Sequence, residues 1–206
     1  MSSSLKFIRE LENKGYQNII GLDEAGRGPL AGPVVAVAVL FKKELPRFLL
    51  REVKDSKELN LKTREELYNI LKQDFFWARG LVGPGLIDRI NILQATKLAM
   101  RRAVNNLEHR IGKNFSKTKT ALIIDGNQKI NSQFQEFTVV KGDKKIFVCS
   151  AASIIAKVQR DNLMKKYHQR FSEYNFLQHK GYPTKAHKEL IKRYGFSPLH
   201  RRTFQV

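Results

Sequence analysis

The chain has few of the features that stabilise secreted or membrane proteins. It has one cysteine, Cys149, so it cannot form an internal disulfide of the kind found in oxidising compartments. Its longest apolar run, residues 34–41, is much shorter than the ~20 residues that cross a bilayer. The N-terminus starts with serines, becomes charged at Lys6 and shows no signal peptide. We therefore predict a soluble, intracellular protein of the cytoplasm, with no membrane contact.

Acidic residues are scarce relative to basic ones. The 206 residues include 38 Lys and Arg but only 19 Asp and Glu, which gives a formal charge of +19. Such an excess attracts phosphate polyanions over long distances. A merely basic, solvated surface is the alternative that charge alone leaves open. A zinc site is not expected, because His179, His187 and His200 have neither close pairing nor a cysteine partner.

The N-terminal region contains the most informative motif. An apolar run over residues 19–22 ends in Asp23 and Glu24, and a glycine turn, Gly26-Arg27-Gly28, follows. An apolar run bounded by glycine predicts a buried strand, and acids at its end are well placed to hold a cation. Glycine lets the backbone approach another molecule closely or adopt positive φ, so a β-carbon at either position would obstruct a ligand or forbid the required dihedrals. Arginine offers a planar fork for phosphate. The motif predicts a metal ion next to a phosphodiester.

Two further acids have similar placement. Asp125 ends a second apolar run, residues 121–124, and Asp161 follows Ile154 and Val158 at helical spacing on a predicted core-facing stripe. A buried carboxylate there must be paired or must coordinate a metal; for each acid taken singly, an ion pair or a capping role remains open. Oxygen ligands without a cysteine or histidine pattern favour Mg²⁺ or Mn²⁺. Two such ions held by carboxylates hydrolyse phosphodiesters.

Glu24 poses a geometric difficulty. Neighbouring strand residues point to opposite faces, so Asp23 and Glu24 cannot both face one ion while the strand stays regular. Either the strand ends at Asp23 and the glycine turn redirects Glu24, or Glu24 acts without direct contact to the metal.

Periodicity and turn residues predict an α/β fold with a mixed sheet flanked by helices. The predicted helices are residues 5–15, 61–73, 86–110 and 150–171, and the predicted strands are 17–24, 33–41, 75–82, 121–125 and 136–140. The tail is basic, aromatic and histidine-rich. We therefore predict a catalytic domain over residues 1–170 and a small helical C-terminal region over 171–206.

Several motifs together resemble bacterial ribonuclease HII. The matching segments are Gly21 to Pro29, Asp55-Ser56-Lys57, Asp125-Gly126-Asn127, Ser153 to Asp161, Lys180 to Thr184 and Leu199 to Phe204. The resemblance spans residues 17–204. It implies a ribonuclease H-like fold and a metal-dependent endonuclease that cuts RNA in RNA–DNA hybrids. It also implies cutting on the 5′ side of ribonucleotides embedded in duplex DNA, which leaves 3′-hydroxyl and 5′-phosphate ends and removes misincorporated ribonucleotides.

The resemblance also implies residue roles. The catalytic, metal-binding acids would be Asp23, Glu24, Asp125 and Asp161, holding two Mn²⁺ or Mg²⁺ ions during catalysis. Gly26, Arg27 and Gly28 would contact the ribose 2′-hydroxyl mainly through backbone groups, Tyr182 would stack on the neighbouring sugar, and Ser56 and Lys57 would hold phosphates. Without the resemblance, Tyr182 could be a loop aromatic and Asp55-Ser56-Lys57 the start of a helix.

Two alternatives remain: another ribonuclease H-like nuclease, or a non-catalytic nucleic-acid-binding protein. The glycine turn and Tyr182 disfavour the first, and the four acids disfavour the second. The sister family, ribonuclease HIII, usually has Gly-Thr-Gly in place of Gly26-Arg27-Gly28 and an extra N-terminal domain, so the short segment before the first strand favours HII. We expect a monomer whose partners are RNA–DNA hybrid and ribonucleotide-containing duplex DNA. No sliding-clamp peptide is evident in Arg201 to Val206.

Overall fold

A computed structural model describes residues 3–41, 49, 59–112 and 115–205. Ser56 and Lys57, the predicted phosphate contacts, lie outside the described residues. The helices are α1 (Ser3–Asn13), α2 (Leu61–Asp74), α3 (Pro84–Ile111), α4 (Gly142–Lys145), α5 (Phe147–Arg170), α6 (Phe176–His179) and α7 (Lys185–Tyr194), with 3₁₀ turns at Lys117–Lys119 and Ser172–Tyr174. The strands are β1 (Asn18–Ala25), β2 (Val34–Leu40), β3 (Trp77–Val82), β4 (Thr120–Asp125) and β5 (Gln135–Val139).

The strands form one mixed sheet in the order β3-β2-β1-β4-β5. β2 is antiparallel to both β1 and β3, whereas β4 is parallel to both β1 and β5. The predicted mixed α/β sheet is confirmed. The parallel pairing of β1 with β4 matters most for function, because it brings the carboxyl ends of both strands to the same edge.

Helices cover both faces of the sheet. On one face, Ile19, Val37 and Ile123 pack in a cluster that includes Val148 and Ala152 of α5. On the other face, alternate residues of the same strands pack against the apolar side of α3. Strands covered on both faces are apolar throughout, which explains the unbroken apolar run of β2.

Helix α5 approaches β1 very closely at Gly21. A β-carbon added to Gly21 would lie 2.3 Å from the carbonyl carbon of Val148. Only glycine allows this separation, so Gly21, two residues before Asp23, lets the helix cross the strand at this short distance. This crossing places Ser153 of α5 within hydrogen-bonding reach of Asp23.

The C-terminal region packs against the end of α5 and the loop after β1. Met164, Tyr174 and Phe176 form a small buried cluster with Ala31. The loop is also joined to the C-terminal region by a β-bridge between Ala31 and His200. The helical character predicted for this region is observed, and its boundary as a separate domain stays a prediction.

Some element boundaries differ from the predicted ones. Helix α5 begins at Phe147, and α3 runs from Pro84 with a kink at Asn91, whose φ of 63° is not helical. The Asn91 side chain accepts the Gln94 N–H at 3.1 Å and so caps the part of α3 that follows. The short α4 was not predicted. No helix in the described ranges is long and apolar enough to cross a membrane.

Candidate active site

Asp23 and Asp125 lie side by side at the carboxyl edge of the sheet. The parallel register pairs Leu22 with Ile124, one residue before each acid. Leu22 and Ile124 both pack on the face of α3, so side-chain alternation directs both acids to the face of α5. The structure therefore brings together the two acids that the sequence placed at strand ends.

The Asp23 carboxylate is crowded by other negative charges. The residue is 4% exposed, and its Oδ1 accepts the Glu24 N–H at 2.7 Å. Burial raises the pKa of Asp23 well above its ordinary value, and the charges of Glu24 and Asp125 raise it further. A hydrogen bond from Ser153 on α5 acts in the opposite direction. A cation bound here would relieve the repulsion.

Asp125 is fixed by the backbone that follows β5. Its Oδ1 accepts the Gly142 N–H at 2.7 Å, so the start of α4 orients the carboxylate. Cys149 lies nearby and donates to the Ile123 carbonyl at 3.4 Å. Burial, followed by the charges of Asp23 and Asp125, raises the pKa of the Cys149 thiol well above its ordinary value. The thiol is buried, and burial favours its neutral form.

Glu24 lies on the opposite face of β1. The strand stays paired with β2 through Glu24 and Ala25, so it does not end at Asp23, as the first of the two predicted alternatives required, and direct contact of Glu24 with a metal ion stays a prediction. The Glu24 carboxylate pairs with Arg27 at 3.3 Å across the glycine turn. Glu24 lines two separate cavities, so it lies between them.

Asp161 belongs to the same region but has a different partner. Its Oδ1 accepts a hydrogen bond from Lys157 Nζ at 2.9 Å, one turn earlier on α5. The ion pair left open by the sequence is therefore present. Lys157 Nζ also lies 5.4 Å from the centre of the Tyr182 ring, so Lys157 connects Asp161 with the predicted sugar contact.

A cavity of about 280 Å³ lies next to Glu24 and Lys157. Its lining consists of Glu24, Ala25, Gly26, Arg64, Ser153, Lys157 and Tyr182. A smaller depression on the other side of Glu24 includes Arg27, Asp125 and Asn127. Tyr182 is 38% exposed, so its ring is accessible from the cavity side.

The two glycines of the turn have different surroundings. Gly26 has a φ of +100°, and a β-carbon there would lie 2.2 Å from Arg160 Nε. Gly28 has no atom within 4 Å of such a β-carbon and no positive φ. The predicted need for positive φ is therefore confirmed at Gly26 and is not found at Gly28. At Gly28 the other predicted reason for glycine, that a β-carbon would obstruct a ligand, stays a prediction.

Sequence patterns did not single out several residues of this region. Ser153, Lys157 and Arg64 line the cavity, and the guanidinium groups of Arg160 and Arg201 hydrogen-bond to the loop over residues 26–33. Arg160 lies directly before Asp161 in the segment that resembles ribonuclease HII, so the sequence could have indicated it as part of the site. Arg201 is indistinguishable in sequence from its exposed neighbour Arg202.

The three C-terminal histidines form a buried cluster. His187 Nε2 lies 3.1 Å from His200 Nε2, and the rings of His179 and His187 stack at 4.1 Å. Among the described residues, no group of three or more His, Cys, Asp or Glu side chains is arranged to hold one metal ion. The carboxylates at the sheet edge nevertheless fit a hard divalent ion in donor type, since they are oxygen ligands with excess negative charge.

Comparisons with known proteins agree with this geometry. A family model described as Ribonuclease HII matches residues 20–206. Ribonuclease HII of Chloroherpeton thalassium is 48% identical over 196 residues, covering 94% of this chain and 92% of the relative. The ribonuclease H2 structure from Pyrococcus horikoshii has a TM-score of 0.67 at 30% identity, covering 92% of this chain and 94% of that one. The structure of Bst ribonuclease HIII in complex with Mn²⁺ has a TM-score of 0.76 at 20% identity, covering 94% and 69%.

The fold is therefore that of the ribonuclease H class. Within that class, the chain belongs to the ribonuclease HII family, because the family model and closely similar relatives cover nearly its whole length. Membership supports ribonuclease H endonuclease activity.

Proposed function

We propose that this protein hydrolyses the RNA strand of RNA–DNA hybrids and cuts duplex DNA on the 5′ side of embedded ribonucleotides. The products would carry 3′-hydroxyl and 5′-phosphate ends, and the cellular role would be removal of misincorporated ribonucleotides. The observation that carries the proposal is the pairing of Asp23 with Asp125 next to a cavity bounded by Glu24, Gly26 and Tyr182. The family and the basic net charge support the nucleic-acid substrate.

The acids Asp23, Glu24, Asp125 and Asp161 would hold two Mg²⁺ or Mn²⁺ ions during catalysis. The Mn²⁺ complex of a structural relative supports such an ion type. When bound, these ions would supply Lewis-acid activation and charge stabilisation for phosphodiester hydrolysis. Burial, followed by the charges of Glu24 and Asp125, raises the pKa of Asp23, so its carboxyl group retains its proton to higher pH than an ordinary aspartate does. Its carboxylate becomes available to a ligand when positive charge approaches.

When Asp161 binds a metal ion, its ion pair with Lys157 would be released. The Lys157 ammonium group lies 2.9 Å from Asp161 Oδ1 and lines the cavity, so it would transfer its contact to a substrate phosphate. A lysine ammonium group has three donors on a flexible stem, which suits such a change of partner.

The glycine turn and Tyr182 would distinguish ribose from deoxyribose. A 2′-hydroxyl both donates and accepts hydrogen bonds, so backbone groups of Gly26, Arg27 and Gly28 can test for both properties. Tyr182 lines the same cavity as Gly26 and would present its ring to the adjacent sugar. Ser56 and Lys57 would bind backbone phosphates.

The direct test is cleavage of a labelled duplex that contains one ribonucleotide, with Mg²⁺ or Mn²⁺. We expect a single cut on the 5′ side of the ribonucleotide and no cut in an all-DNA duplex. Asp125→Asn should lower the rate by more than about 100-fold while the melting temperature stays equal or rises, because a like charge is removed next to Asp23.

Glu10→Gln provides the matched control, because it removes one carboxylate from an exposed position of α1. It should cleave like the wild type. Cleavage by Asp125→Asn within tenfold of the wild-type rate at saturating Mg²⁺ would contradict the assignment of the acids. Equal cutting of the all-DNA duplex would contradict the substrate.

A further inference from the structure

Two buried arginines lie behind the loop that contains the glycine turn. Arg160 and Arg201 are both 0% exposed. Arg160 donates to the carbonyls of Pro33 at 3.1 Å and Ala31 at 3.0 Å. Arg201 donates to Gly26 at 2.6 Å, to Arg27 at 2.9 Å and twice to Gly32, at 3.0 and 2.8 Å. Two guanidinium groups thus bind five carbonyls of one short loop.

The glycine turn depends on the planar shape of the Arg201 guanidinium group as well as on its charge. The described hydrogen bonds of both guanidinium groups all go to backbone carbonyls of residues 26–33. The planar fork of Arg201 spans three separate carbonyls at once, which the single ammonium of lysine cannot do in the same geometry. The Arg201 backbone N–H also donates to Leu30 at 2.8 Å, so the donor itself is held in register with the loop.

These bonds determine where the turn presents its amide groups. In a planar trans peptide, the carbonyl and the following N–H point in opposite directions, and no described peptide bond is cis. Because Arg201 binds the carbonyls of Gly26 and Arg27 from the protein interior, the N–H groups of Arg27 and Gly28 face away from it. Arg27 and Gly28 are exposed, so these N–H groups are presented on the outer side of the turn.

Arg160 and a backbone hydrogen bond connect the loop over residues 26–33 with Tyr182 and its neighbour Gly181. Arg160 Cζ lies 5.7 Å from the centre of the Tyr182 ring, and the Leu30 N–H donates to the Gly181 carbonyl at 2.8 Å. A change in the arginine pair would therefore shift the turn relative to Tyr182.

We propose that Arg201 is a positioning residue for ribose recognition: its guanidinium fixes the peptide planes of residues 26–28 so that the N–H groups of Arg27 and Gly28 meet the 2′-hydroxyl. The inference rests on the proposed function, which assigns this hydroxyl to the turn. Arg201 itself is buried and touches no substrate.

The central test variant is Arg201→Lys, which keeps the charge and loses the fork. We expect the catalytic rate on a duplex with one ribonucleotide to fall by about 100-fold, the size of effect that a misplacement of about 1 Å produces. KM and the affinity for all-DNA duplex should change less than about threefold, because phosphate contacts supply most of the affinity. The control is Arg202→Lys, which makes the same replacement at an exposed side chain and should behave like the wild type.

Two further measurements separate positioning from general damage. In ¹H–¹⁵N spectra, Arg201→Lys should shift the amide signals of Arg27 and Gly28 and leave those of β3 and β5 unchanged. In Arg201→Ala, millimolar guanidinium chloride should restore part of the lost rate, and sodium chloride at equal ionic strength should not.

The outcomes distinguish the two proposals. If the wild type fails to cut ribonucleotide-containing duplex, the proposed function is wrong, and the amide shifts still report on the arginine. If Arg201→Lys cuts as fast as the wild type with unchanged Arg27 and Gly28 signals, the positioning role is overturned. It is also overturned if neither Arg201→Lys nor Arg201→Gln folds, since Arg201 would then be a determinant of folding as a whole.

Discussion

Gly26 and Gly28 show how two identical residues in one turn can have different physical roles. Gly26 combines a positive φ with a β-carbon position 2.2 Å from Arg160 Nε and 2.8 Å from the Pro33 carbonyl. Gly28 faces open space. The protein therefore requires glycine at position 26 for its own structure, whereas the structure leaves room for a β-carbon at position 28.

Alanine at each position should separate these roles. We expect Gly26→Ala to lower the free energy of unfolding by about 1–3 kcal/mol, because the buried arginine must move. Gly28→Ala should change it by less than about 0.5 kcal/mol, and both variants should cleave slowly. Urea unfolding and cleavage of a duplex with one ribonucleotide provide the measurements. Normal cleavage by Gly28→Ala would show that this position does not approach the substrate.

Tyr182 is the second residue whose role can be isolated. Its ring is accessible and has Lys157 and Arg160 as cationic neighbours. We expect Tyr182→Ala to lower cleavage at a single ribonucleotide by more than about tenfold, which corresponds to ~1.4 kcal/mol, and to spare most of the duplex affinity. Tyr182→Phe should be milder, because the aromatic face survives.

The measurement compares cleavage rates and dissociation constants on duplexes with one, four or no ribonucleotides. If Tyr182→Ala cuts the single-ribonucleotide duplex as fast as the wild type, the ring only packs against the C-terminal region and takes no part in recognition.

At the scale of elements, the C-terminal region depends on neutral histidines. His187, at the start of α7, donates from Nδ1 to the Tyr182 carbonyl at 2.9 Å, and its Nε2 lies 3.1 Å from His200 Nε2. Burial lowers the pKa of both His187 and His200 to about 4. Two imidazolium ions in contact would repel each other without water to screen them.

These values predict an acid-sensitive fold. The unfolded chain, with histidine pKa values of about 6.5, takes up protons before the folded chain does. The free energy of unfolding should therefore fall as the pH decreases from about 7 to about 4, by at most ~1.4 kcal/mol per pH unit for each histidine. Asp23 acts in the opposite sense, because its raised pKa favours the folded state at low pH.

Comparison with His187→Gln isolates the histidine contribution, since Asp23 is common to both proteins. Urea unfolding at pH 7, 6 and 5 should show a shallower pH dependence for the variant. Equal slopes would mean that His187 is not held neutral by the fold.

At the scale of the whole molecule, the charge of +19 should control nucleic-acid affinity. The logarithm of the binding constant for duplex should fall linearly with the logarithm of salt concentration. If Lys57 contacts a phosphate, Lys57→Ala should make the slope shallower by about one unit. Lys6→Ala removes the same charge from the exposed surface of α1 and should leave the slope unchanged. An unchanged slope in Lys57→Ala would place that lysine on the solvated surface.

The sequence by itself determined the parts of this protein that depend on local pattern. Apolar runs that end in acids predicted β1 and β4, and both strands are observed. The motif series identified the family, which the comparisons confirm over residues 20–206. Such features are readable because strand burial and turn chemistry act between neighbouring residues.

Other features were decided only by the tertiary structure. Nothing in the sequence distinguishes Arg201 from Arg202, because only the packing of the C-terminal segment against residues 26–33 buries one and exposes the other. The same holds for Gly26 and Gly28, whose difference comes from the position of Arg160 on α5. The face of Glu24 likewise followed from the pairing of β1 with β2 beyond Asp23, whereas the partner of Asp161 lies one turn away on the same helix. Contacts between residues more than a hundred positions apart depend on the complete fold, and a local pattern carries no information about them.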